Sequence, residues 1–419
     1  MFKRVSDNVL IYAASFLRSV SIGMIAVLMA IYLMKVGFTK TEVGIVVSIG
    51  LIGSALGNLF VTFFGDKLGR RKILIAYAIL SAAGALSVII SPNFYTILIS
   101  AFFGMINARG KDRGVALVIE SAILPSLENN QNRTQAYAWY ALVQDLGLAL
   151  GGIAAGLPTL FSTFFGISDI FSFQLTFGIY AALMLITAFL YCYLTEKSEV
   201  PMEKATFGLS VDGKKIITKL ASLFALDSLA GGFLTSTLIA YYFYERFDVG
   251  VEALGVLFFF ARCLNAVSYF GSVWLSKRIG LINAMVFTHS PSHLCLIAIA
   301  FSPSFPLAVF FYLIRELLVE MDVPTRQSYV MAVVKPEERV KAAGITQMVR
   351  MMGWAAAPAF AGYIMQEFSL ASPLFIGAGI KLTYDMLIFL SFRKIKPPEE
   401  PVEDLVEESG SVELVTAQA

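Results

Sequence analysis

The chain has 419 residues, of which 57% are hydrophobic and only 15% charged, and its mean hydropathy is +0.74. A water-soluble domain carries about one quarter charged residues, so an ordinary soluble fold is excluded. The formal net charge of +2 identifies no partner, because an acidic tail nearly balances basic loops, and no nucleic-acid partner is expected. Apolar runs recur along the chain, and roughly 20 apolar residues suffice to span hydrocarbon as a helix. Twelve such segments are predicted, at 8–34, 42–64, 73–91, 94–124, 136–157, 172–193, 219–244, 253–275, 281–301, 307–333, 342–366 and 372–392. The first is too long for a signal-peptide core and a second follows at once, so it is expected to remain as a membrane helix. Cys192, Cys263 and Cys295 all fall inside apolar segments and are expected to be small buried hydrophobes, with no disulfide framework and no metal spacing.

Taken in chain order, the first polar feature is GDKLGRRK (65–72) between segments 2 and 3. Its two glycines permit a tight turn, its basic residues hold the loop on one side of the membrane, and Asp66 suits the positive end of a neighbouring helix. Segment 4 carries NARGKDRGVALVIES (107–121), five charges in an apolar surround. At about 100° per residue, Arg109, Asp112, Arg113 and Glu120 share one face within about 60° of Arg109, and Lys111 points away. Segment 5 contains the small-residue run GLALGGIAAG (147–156), and the longest polar stretch before the tail, 194–218, separates two halves of six segments. The organisation expected is therefore 1–193, a linker 194–218, a second bundle 219–396, and a disordered acidic tail 397–419.

The second half repeats the first. A shift of 206 carries Arg109 to Arg315, Arg133 to Arg339, Gly147 to Gly353 and Gly156 to Gly362; near the start of each half a shift of 211 carries Gly44 to Gly255 and Gly69 to Gly280. Parallel six-helix repeats mark transporters whose halves rock about a central site. SKRIG (276–280) is a degenerate copy of the first loop, and KPEER (335–339) follows segment 10. In segment 10, Arg315, Asp322 and Arg326 share a face, while Glu316 and Glu320 lie about 100–140° from Arg315. His289 and His293, in segment 9, are expected at the periphery as satisfied structural residues.

GDKLGRRK, its copy and KPEER together resemble the cytoplasmic signatures of the major facilitator superfamily, and helix count and duplication extend the resemblance over nearly the whole chain. It implies an all-α membrane fold of twelve helices in two pseudo-symmetric six-helix bundles, working as a monomer by alternating access. It further implies that segments 1, 4, 7 and 10 line the cavity, and that Gly65, Asp66, Gly69, Arg70 and Arg71 form a gating motif in which Asp66 and Arg70 latch the halves. GLALGGIAAG is similar to a motif of proton-coupled drug exporters, with Gly151-Gly152 where the family has Gly-Pro.

Charges buried in hydrocarbon cost several kcal/mol each and mark pathways or sites. The candidate solute ligands are Arg18, Arg109, Arg113, Arg315 and Arg326, because guanidinium stays charged and binds anions bidentately. Asp112, Glu120, Asp227, Glu316 and Asp322 are the candidates for proton coupling or ion pairing. The same charges could instead be inter-helix salt bridges. A proton-coupled transporter of a small anionic or zwitterionic solute is the expected function, with multidrug efflux by proton antiport as the alternative. No nucleotide-binding loop is present, so no cofactor, ATP hydrolysis or enzyme activity is expected. With the N-terminus inside, 20 Lys/Arg fall in inside segments and three outside, which predicts both termini cytoplasmic; the membrane expected is the plasma membrane.

Overall fold

The computed structural model describes residues 6–104, 114–127, 133–199, 210–323, 326, 329–330 and 339–392. In chain order its helices are α1 (Asp7–Lys35), α2 (Lys40–Leu68), α3 (Arg70–Ile90), α4 (Phe94–Gly104), α5 (Val115–Leu127), α6 (Arg133–Ala154), α7 (Leu157–Phe165) and α8 (Asp169–Tyr191). They continue as α9 (Val211–Phe233), α10 (Ser236–Phe247), α11 (Val251–Ile279), α12 (Leu281–Phe301), α13 (Phe305–Val319), α14 (Arg339–Glu367) and α15 (Ser372–Phe392). Among the described residues no strand occurs, and nine spans are long and apolar enough to cross a bilayer. In hydrocarbon each backbone N–H and C=O needs an internal partner, which is why the apolar runs become helices. The architecture is the expected all-α one of twelve membrane helices in two pseudo-symmetric bundles. The fourth crossing is α4 and α5 on either side of residues outside the described set, and the tenth begins as α13.

Local chemistry sets the turns. Thr39 caps α2 with a reciprocal box: its side chain accepts from the Glu42 backbone N–H, and the Glu42 carboxylate accepts from the Thr39 N–H at 2.8 Å. Gly69 alone joins α2 to α3 with φ +90°, and Gly280 alone joins α11 to α12 with φ +81°. The two positions are related by the 211-residue shift, and a side chain is disfavoured at that φ.

The halves meet at the end of the molecule that carries the α1–α2 turn. A methyl group built at Gly44 would lie 3.0 Å from Gly362 Cα and closer still to the Pro358 carbonyl oxygen; one at Gly255 would lie 2.5 Å from the Gly152 carbonyl oxygen. The shifts of 211 and 206 map Gly44 onto Gly255 and Gly152 onto Pro358, so α2–α14 and α6–α11 are the same contact made twice about a pseudo-two-fold axis. Small residues let the backbones touch, as membrane helices require. Thr41 donates to Gln366 at 2.8 Å and Thr159 donates to Glu252 at 2.7 Å, fastening the same end, while Thr237 donates to the Ala26 carbonyl at 2.8 Å deeper between the halves.

Three local features depart from the sequence pattern. The seventh crossing is broken: α9 ends at Phe233, and Thr235 caps a new helix, α10, by accepting from the Leu238 N–H. The first turns of α9, from its Ser210 cap, occupy the last residues of the polar stretch 194–218. Cys192 and Cys263 are exposed and Cys295 half-buried, contrary to the expected burial. A lipid-facing surface is apolar, so an apolar neighbourhood in sequence does not distinguish core from periphery; Phe60, Phe164 and Phe301 are exposed in the same way.

Candidate functional site

The second half holds a charged, partly open cavity of about 110 Å³. Five cations line it, Arg262, Arg315, Arg326, Arg350 and Lys381, together with four carboxylates, Asp227, Glu316, Glu320 and Asp322. The break in the seventh crossing borders it through Gly231, Leu234 and Ser236. Non-helical backbone at membrane depth is tolerated where it lines a polar cavity, and broken helices form the sites of many transporters.

Asp227 is the hub. Its carboxylate is 2.6 Å from Lys381 Nζ, 3.6 Å from Arg326 Nη1 and 3.7 Å from Arg350 Nη2. Arg326 also pairs with Asp322, one helical turn earlier in the chain. Arg315 pairs with its neighbour Glu316, which accepts from Asn265 Nδ2 at 3.1 Å. Arg262 donates to Ser236 Oγ at 3.4 Å, and the Arg350 guanidinium lies 4.8 Å from the Trp354 ring centre. Arg315 Nε is buried with no hydrogen-bond partner among the described residues. A buried, unmatched guanidinium N–H is costly.

The sequence-derived residues divide. Arg315, Arg326, Asp227, Glu316 and Asp322 come together at this cavity. Glu316, expected off the Arg315 face, joins them, because adjacent side chains flank a cavity wider than one helical stripe; Glu320 does so because α13 ends at Val319 and the helical phase does not carry past it. Arg18 does not reach the cavity, although the first segment was expected to contribute it. Fully buried, it donates to Glu120 Oε1 at 2.9 Å and Oε2 at 2.5 Å, and to the Tyr191 hydroxyl at 2.6 Å. Tyr140 and Tyr191 each donate to the same carboxylate at 2.6 Å. Arg109, Lys111, Asp112 and Arg113 lie outside the described residues.

Arg262, Arg350, Lys381 and His289 were missed as cavity residues. The first three are charges within apolar segments, but helical phase about one axis does not say that they converge on one cavity. His289 was expected at the periphery and instead lines the cavity, because Pro291-bearing α12 packs between α13 and α15.

In the GDKLGRRK loop, the backbone N–H groups of Arg70 and Arg71, at the start of α3, donate to the Glu199 carboxylate at 2.7 and 2.9 Å. Arg71 Nη1 donates to the Leu194 carbonyl, and the buried Arg70 to the Ala122 carbonyl at 3.4 Å. A carboxylate on a helix N-terminus satisfies orphan donors and the helix dipole together. Glu199 had no recognisable motif in the sequence. The Asp66 side chain is outside the described set.

The sequence profile of the Major Facilitator Superfamily matches residues 11–321 and 294–416. The chain belongs to the Major Facilitator Superfamily. It is 26% identical over 426 residues to the uncharacterized membrane protein YJR124C of Saccharomyces cerevisiae, covering 93% of this chain and 95% of that one. Its fold is that of the nucleoside transporter NupG (TM-score 0.72, 14% identity, 91% and 98% of the two chains) and of a D-xylose-proton symporter (TM-score 0.70, 12% identity, 91% and 96%). This superfamily member is a multi-pass membrane transporter of small molecules and not an enzyme.

Proposed function

We propose that this transporter couples protons to the movement of a small anionic or zwitterionic solute, whose negative group binds in the second-half cavity at Arg315 and Arg326. The unmatched Arg315 Nε carries the reading. Asp227 supports it: a carboxylate already shared by three cations illustrates how the wall holds an anionic group, and charge-assisted bonds of this kind are the strong ones. The α10 N-terminus beside the cavity adds positive potential. By the 206-residue repeat Arg109 is the sequence counterpart of Arg315, and it and Arg113 are the first-half candidates for the same anion. A small, charged cavity suits an amphipathic drug poorly, which sets multidrug efflux second.

The Lys/Arg asymmetry supports both termini lying in the cytoplasm, and the reading takes the protein as a monomer in the plasma membrane. The Gly44 and Gly255 contacts then close the outer face, and the Gly65–Arg71 motif latches the inner one in the alternate state, with residues 1–193 and 219–396 as the moving halves. A proton-coupled transporter has precedent in this fold in the D-xylose symporter.

The test is thermal unfolding of the purified protein in detergent against small anions, zwitterions and hydrophobic cations at two pH values. A ligand present at 100 times its Kd stabilises the folded state by about 2.7 kcal/mol. Stabilisation by an anion that disappears in Arg315→Ala supports the reading. Stabilisation by hydrophobic cations alone, unchanged in that variant, overturns it in favour of efflux.

A further inference from the structure

Behind the cavity wall lies a cluster that solute binding does not use. His289 Nδ1 is 2.7 Å from Asp385 Oδ1 and 3.0 Å from His293 Nε2, and His293 Nε2 is 3.5 Å from Asp385 Oδ2. All three side chains are buried, and Ser290 Oγ donates to Asp385 Oδ2 at 2.8 Å. Three groups that each accept a proton or donate one thus converge on one point. With both rings neutral and the His289 proton on Nδ1, His289 donates to Asp385 and His293 Nε2 presents a lone pair. With one proton more, two N–H groups face the two carboxylate oxygens in the fork arrangement that guanidinium makes with carboxylate.

We propose that His289, His293 and Asp385 form the proton-binding site of this transporter, loading one proton in step with the anionic solute. This rests on the proposed anion site and names its coupling element. Two observations favour the triad over the cavity carboxylates. Glu120, Asp227, Glu316 and Asp322 neutralise Arg18, Lys381, Arg315 and Arg326 respectively, so protonating any of them strands a buried positive charge. Protonating the triad instead creates an ion pair within it. Second, among the described residues of the second half the cavity's five cations and four carboxylates, with Asp385 as the fifth carboxylate, are equal in number, so no carboxylate there is spare. A proton on the triad adds one positive charge beside the anion site, which favours binding of an anion. Binding of the two is then mutually favourable, and linkage makes the effect reciprocal.

The field at the triad comes from several helices. The histidines face Asp227 on α9, Arg315 on α13, and Lys381, Asp385 and the Tyr384 ring, 6.0 Å from His289, on α15, with Arg262 of α11 on the same cavity wall. His289 is the member that reaches the cavity, so it connects the solute's charge to the proton.

The chain has two histidines in all, and the test uses that. In full-length protein labelled with 15N-histidine, imidazole nitrogen shifts are followed between about pH 5 and 8, the range in which histidine charge ordinarily changes. No solute is needed, so failure here leaves the anion reading standing, and failure of the anion screen leaves this titration interpretable. The expected result is one coupled titration seen at both rings. Arg315→Gln raises its midpoint and Glu316→Gln lowers it, each by roughly half a pH unit or more, because the substitutions change the cavity charge with opposite sign. Asp385→Asn lowers the midpoint further or abolishes the titration. Rings that keep one protonation state throughout overturn the proposal, and so does a midpoint that neither cavity substitution moves.

Discussion

Each half of the molecule buries an arginine against a carboxylate, and the two arrangements differ in how completely they are satisfied. In the first half Arg18 and Glu120 make a two-pronged pair, and the hydroxyls of Tyr140 and Tyr191 take up the remaining acceptor positions, in a place with no solvent exposure. In the second half Arg315 shares its charge with Glu316 beside a cavity and keeps a buried N–H unmatched among the described residues, while Asp227 is divided among three cations. A saturated network holds helices together and has nothing left to offer. An unsaturated one around a void has both the space and the bonding capacity for a solute. The residue types are alike, and the difference lies in how many partners converge.

The sharpest way to break this contrast is at Glu120. Glu120→Ala leaves a guanidinium buried and uncompensated, and stability is expected to fall by about 3–5 kcal/mol, whereas a double Arg18→Leu, Glu120→Leu variant recovers most of the loss. Thermal unfolding in detergent measures both. A single variant within about 1 kcal/mol of the parent, on the order of an exposed pair, would show that the first-half cluster is not the structural element described.

Next in size is Asp227→Asn. Removing the shared carboxylate leaves Lys381, Arg326 and Arg350 facing one another, with an expected loss of about 2–3 kcal/mol in anion-poor buffer. Small carboxylate anions should then stabilise the variant more than they stabilise the parent, because they replace the missing group. Equal or absent stabilisation across the anion panel would place the solute elsewhere.

Gly44→Leu probes the contact between the halves. Overpacking a backbone-to-backbone approach costs typically about 1–3 kcal/mol, and here the strain is relieved by separating α2 from α14. A cysteine introduced at Thr41 in a background without the native cysteines should react faster with an impermeant maleimide when Gly44 is leucine. An unchanged rate means that the two helices do not close this end.

The smallest effect belongs to Lys35→Ala. Lys35 Nζ lies 2.6 Å from Asp169, but the two side chains are 26% and 57% exposed. Water screens such a pair, so the change is expected to stay within about 1 kcal/mol. It serves as the exposed control for the buried pairs.

Several parts of the site were legible along the chain. Arg315 and Arg326 stood out as charges in an apolar run, and Asp227 as a buried acid of the seventh segment. Glu199 was not legible, because a carboxylate that caps a helix 128 residues away leaves no local pattern. Nor were Lys381 and Arg350, whose significance appears only when α9, α14 and α15 bring them to one carboxylate. The same holds for His289 and His293: four residues apart on one helix, they look like a structural pair until Asp385, 96 residues on from His289, is placed against them.

By itself, then, the sequence determined that this is an all-α membrane protein of two repeated halves, with glycine-hinged turns at Gly69 and Gly280. Those properties follow from local rules: apolar run length against bilayer thickness, the need for internal backbone hydrogen bonds in hydrocarbon, and a positive φ that favours glycine. Tertiary structure alone decided which buried charges saturate one another and which stand around a cavity. Coulomb and hydrogen-bond energies depend on distances of a few ångströms between residues far apart in the chain, and helical phase orders side chains about one axis without saying what the neighbouring axis presents.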